Sequence, residues 1–133
     1  MPVDRTAAST FSASVDAPSE ARRFVRETLA GWGREMAIEP AQLLVSELVT
    51  NAVVHGGHGV VIVRVSVDEP WLRIEVSDAN AREYPRLKVP HDNGARGLHI
   101  VDAVASAWGC SPVGGRKTVW CEVPLVAGSR TTG

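Results

Sequence analysis

One segment constrains this chain more than any other: Leu43-Leu44-Val45-Ser46-Glu47-Leu48-Val49-Thr50-Asn51-Ala52-Val53-Val54-His55. Leucine, valine and alanine occupy nearly every direction around a helical axis, so a helix of this sequence is mostly buried. Pro40 suits its first turn, and Gly56-Gly57 stops it after His55. Yet Glu47, Asn51 and His55 recur every four residues and form one polar stripe. A buried ionised carboxylate is costly without a partner, so the stripe must meet a cation, water or a polar ligand. Magnesium and phosphate suit it. Magnesium takes oxygen ligands, few of them from protein, and the Asn51 amide oxygen can be one. Glu47, one turn earlier, can orient or deprotonate a nucleophile. The alternative is a buried polar cluster that only fixes packing.

Around this helix the pattern is that of one domain. Phe11, Ala13 and Val15 alternate with Ser12 and Ser14, the period of a half-buried strand. Asp16 and Pro18 open a helix whose apolar stripe is Ala21, Phe24, Val25, Thr28, Leu29 and Trp32, closed by Gly31 and Gly33. Arg22, Arg23 and Arg26 lie off the stripe and read as a solvated face, with partner binding as the other option. Val61, Val63, Val65 and Val67 share one strand face. Leu72, Ile74 and Val76 share the next, after a turn near Asp68-Glu69-Pro70. A third helix is expected from Arg96 to Ala107, with Leu98, Val101 and Ala105 inward and Val104 beside them. Strands at about 108–112 and 117–125 follow. Together these predict an α+β two-layer sandwich, a mostly antiparallel sheet covered on one face by about three helices. Residues 1–9 and 127–133 are small and polar and read as disordered tails around a domain at 10–126.

Two further places carry chemistry. Asp78 shares its parity with Leu72, Ile74 and Val76, so its side chain points into the core layer and needs a donor. The exocyclic amine of adenine is such a donor; an Asp capping the following turn is the alternative. Residues 79–95 have no clear period and read as a long loop. The loop ends in Asn93-Gly94-Ala95-Arg96-Gly97-Leu98 at the mouth of the third helix. Small residues admit a ligand to the backbone, a helix N-terminus offers free N–H groups, and Arg96 adds a cation.

Composition narrows the partners. Fourteen basic against fifteen acidic residues give a net charge of -1, which argues against direct nucleic-acid or membrane binding by bulk electrostatics. No apolar run has the length of a membrane span, and the first residues do not form a signal peptide, so a cytoplasmic location is expected. Cys110 and Cys121 read as thiols in a reducing compartment. His55, His58 and His91 are a further, weaker metal possibility.

The order of these pieces is more specific than any one of them. Glu47-x-x-x-Asn51 on a helix, a hairpin ending in Asp78, a loop, then Gly97-Leu98 entering a helix resemble the GHKL (Bergerat-fold) ATPase superfamily. The run Ser46 to Gly56 resembles the N box of its anti-sigma-factor serine/threonine kinase branch, and the similarity covers roughly residues 10–125. The resemblance implies ATP and Mg2+, with Glu47 as catalytic base and Asn51 as magnesium ligand. It implies that Asp78 holds the adenine amine, that Gly94, Ala95, Arg96, Gly97 and Leu98 border the phosphates, and that His55, Asn80 and Thr118 lie at the nucleotide. It also implies a serine or threonine substrate on a STAS-type antagonist, a sigma factor as the sequestered partner, and a homodimer. The sequence departs from the superfamily pattern in Asp78-Ala79-Asn80-Ala81-Arg82, where two glycines are absent, and at Ala95 in place of another. Those departures motivate a second expectation, a partner-switching module that binds nucleotide weakly or not at all. A histidine-kinase catalytic piece would need its phospho-accepting histidine on a separate chain.

Overall fold

A computed structural model describes residues 5–55, 59–79, 96–113 and 115–125. Its strands are β1 (Arg5–Ser12), β2 (Val60–Asp68), β3 (Trp71–Asp78), β4 (Ala107–Val113) and β5 (Arg116–Pro124). Its helices are α1 (Ala17–Gly31), α2 (Ile38–His55) and α3 (Arg96–Val104), with a short 3-10 turn at Glu35–Ala37 ahead of α2. The strands form one sheet in the order β1-β2-β3-β5-β4, and every neighbouring pair is antiparallel. The α+β architecture expected from the sequence is the one observed.

The period-two alternation decides which sheet face is covered. Val61, Val63, Val65, Val67, Leu72, Ile74, Val76, Val119, Cys121 and Val123 are all buried. They meet Ala17, Ala21, Val25 and Leu29 of α1 and Leu44, Val45, Leu48 and Val49 of α2 in one core. The opposite sheet face carries Arg64, Arg73, Glu75, Ser77, Thr118, Trp120 and Glu122, exposed or half-buried. Removing the inward face from water is the main stabilising term of the sandwich.

Several local expectations change. β1 begins at Arg5, not after residue 9, because a strand needs a backbone partner more than apolar side chains: Arg5 pairs with Val67 and Ser12 with Val60. Val15 is exposed, since the chain has left the strand and turns into α1 there. α3 ends at Val104, which is exposed, while Val101 is fully buried. α2 is less enclosed than its composition suggests: Leu43 and Val54 are exposed. Arg22 is not on a solvated face. It is half-buried, its guanidinium donates to Ser46 Oγ at 2.9 Å, and Gln42 Nε2 donates to its carbonyl at 3.0 Å. These two bonds tie α1 to α2 beside Glu47.

Candidate functional site

The polar stripe of α2 exists as read, and its members differ by depth. Asn51 is buried, with 9% of its surface exposed, Glu47 is half-buried, and His55 is exposed at the last residue of the helix. The gradient follows from packing: α2 lies between α1 and α3 and over β2 and β3, so the stripe emerges from the core toward its ends. Burial raises the Glu47 carboxyl above its ordinary value, because a charged group loses hydration there. A carboxylate with increased proton affinity is better suited to take a proton from a hydroxyl. The Asn51 amide lies on the same face of α2, one helical turn beyond Glu47. Its amide oxygen can serve as an oxygen ligand for a hard cation.

Asp78 is also where parity put it, buried at the inward end of β3. A cation of the chain itself lies beside it. Lys117 Nζ lies 3.3 Å from Asp78 Oδ2, with the two side chains 1% and 4% exposed respectively. The two residues are direct partners in the β3–β5 ladder. Removing one partner from such a buried pair costs about 3–5 kcal/mol, because the other charge is left uncompensated. Lys117 is the residue that sequence reading missed. The signal was present: Lys117 has the parity of Val119, Cys121 and Val123, which face inward. Thr118 has the other parity. It pairs with Ser77 on the outer face, the side opposite Asp78. On that outer face Arg116 donates to Ser77 Oγ, to the Ser77 carbonyl and to the Val60 carbonyl, each at 2.9 Å, and clamps three strands together.

Cys121 is buried and Cys110 half-buried, and both are free thiols. Burial pushes Cys121 up to about 12 and also raises Cys110, with Lys117 opposing and Asp78 adding to that rise. In both, burial disfavours the thiolate, the nucleophilic form. No group of three histidine, cysteine, aspartate or glutamate side chains could hold a metal among the described residues, and His58 and His91 lie outside them. Asn80, Gly94 and Ala95 lie outside them too. Arg96, Gly97 and Leu98 form the first turn of α3, and their side chains lie outside the described set.

Set against magnesium and ATP, the residues fit in one half of the site and not in the other. Glu47 and Asn51 offer a proton acceptor and an oxygen ligand one helical turn apart. Asp78, expected to receive an adenine amine, is already paired with an ammonium group. No helix among the described residues is long and apolar enough to cross a membrane.

Comparison with known proteins bears on this arrangement. A family model described as histidine kinase-like ATPase domain matches residues 11–120. The chain is 35% identical over 82 residues to an uncharacterised protein of Streptomyces coelicolor, a stretch covering 58% of this chain and 78% of that one. A crystal structure of the RsbU and RsbW domains of Rv1364c from Mycobacterium tuberculosis superposes with a TM-score of 0.67 and 23% identity. That match covers 90% of this chain and 32% of the other, so the chain spans about a third of the solved protein's length. At this level of identity the likeness is one of fold.

Proposed function

The chain belongs to the histidine kinase-like ATPase domain family, and from that membership we propose that it is an ATP-dependent serine/threonine protein kinase of the anti-sigma-factor type. The observation that carries the proposal is the α2 stripe, a half-buried Glu47 whose carboxyl burial raises above its ordinary value, one turn from a buried Asn51. In this scheme the substrate hydroxyl approaches Glu47, which takes its proton. The hydroxyl oxygen bonds to the γ-phosphorus as the bond to the β-phosphate oxygen breaks, and ADP leaves. The Asn51 amide oxygen would be a ligand for Mg2+, which would supply neutralisation of phosphate charge. The first turn of α3, with Arg96, Gly97 and Leu98, borders the phosphates. The substrate is a serine or threonine on a STAS-type antagonist, the sequestered partner is a sigma factor, and the acting form is a homodimer in the cytoplasm.

The test is phosphoryl transfer from ATP with Mg2+ to candidate antagonists, comparing the natural chain with Glu47→Ala. Transfer is expected to fall by about 10²-fold or more, the usual contribution of a positioned base. Equal transfer by the two proteins removes Glu47 as base.

One observation favours a second reading, a partner-switching module that binds nucleotide weakly. The Asp78–Lys117 pair leaves the carboxylate already compensated, and alanine follows it where the superfamily pattern runs toward glycine. Calorimetry separates the two: micromolar ATP affinity supports the kinase and millimolar affinity the module.

A further inference from the structure

Asp78 and Lys117 are opposite one another in the antiparallel ladder, so the backbone of two central strands holds their side chains together. Neither charge reaches water to any useful extent, and their separation is 3.3 Å. In such a place an ammonium ion and a carboxylate attract far more strongly than they would at the surface. A nucleobase amine is neutral. To take the Lys117 position on Asp78 it would replace a full charge by a dipole and separate the buried lysine from this carboxylate. Among the described residues of β3 and β5, Ser77, Thr118 and Arg116 at this end have the opposite parity, and Arg116 donates to Ser77 there.

We infer that Lys117 occupies, from within the chain, the place on Asp78 that the exocyclic amine of adenine would take, so the site does not select its nucleotide by that amine. The inference rests on the nucleotide-binding reading given above and deepens it. Recognition then falls to the triphosphate and its magnesium, at Asn51 and the start of α3. The ligand class is a magnesium-bound purine nucleoside triphosphate, chosen by its phosphates.

The experiment is calorimetry on the full chain with Mg2+, using ATP and purine riboside triphosphate, which lacks only the amine. The two affinities are expected to agree within about threefold, less than the loss of one well-made hydrogen bond in the site would produce. ATP binding about tenfold or more tightly overturns the inference and leaves the nucleotide-binding reading intact. Absence of binding by either compound removes the nucleotide-binding reading, and the inference with it. Lys117→Thr, which removes the ammonium group from Asp78, is expected to create a preference for ATP of about tenfold. A folded Lys117→Thr chain that still ignores the amine also overturns the inference. Where that variant fails to fold, the comparison on the natural chain decides alone.

Discussion

Glu47 shows how one side chain links packing to chemistry. Its carboxyl lies above the ordinary carboxylate range because burial disfavours the ion. The folded value therefore exceeds the unfolded one, and the folded chain binds more protons between the two. Stability falls as pH rises through that interval. The cost of the charge is complete above the raised value and absent below the ordinary one. Glu47→Gln is thus expected to raise the melting temperature at about pH 7 and to give little at about pH 4. Thermal melts at several pH values check this, and a pH-independent gain would show that the charge is not the cause. A base that costs stability while idle is a common feature of functional positions.

At the level of elements, the informative pair is β4 with β5. Gly109 on edge strand β4 lies beneath the indole of Trp120, its direct partner on β5. A Cβ at position 109 would stand 2.8 Å from Trp120 Cζ2 and 2.9 Å from Cε2. The indole has little room to move. The Arg73 guanidinium stacks 4.4 Å from its ring centroid, and Arg73 is itself held by Glu75 at 2.9 Å and Glu122 at 2.8 Å. Gly109→Ala is expected to destabilise by about 1–3 kcal/mol, the usual range for overpacking. It should become neutral or mildly stabilising in a Trp120→Ala background, where only the backbone-entropy benefit remains. Urea denaturation of the four proteins of this cycle tests the pair.

For the molecule as a whole, α2 joins the two layers. It packs on α1, α3, β2 and β3, so a void in its inward face is felt by both layers. Leu48 is 1% exposed and Leu43, on the same helix, is 42% exposed. Leu48→Ala is expected to cost about 2–5 kcal/mol. Leu43→Ala should stay within about 0.5 kcal/mol. Chemical denaturation compares them directly; equal effects would mean that the two positions are equally packed in solution. The same placement lets a core helix carry a polar stripe, since only its margin emerges from the sandwich.

Much of the fold was legible because its signals are local. Alternation in Leu72, Ile74 and Val76, and in Val119, Cys121 and Val123, named the covered sheet face, and all six are buried. The spacing of Glu47 and Asn51 named one helix face before any neighbour was known. What was not legible depends on residues far apart in sequence. β1 reaches back to Arg5 because β2 is there to pair with it, and Arg22 is occupied because Ser46 lies opposite. By itself the sequence determined that Asp78 turns inward, and its period equally turns Lys117 inward. Only the antiparallel register of β3 with β5 decided that these two charges meet. Periodicity is a property of each strand alone, whereas register arises when the whole buried face is matched across strands at once.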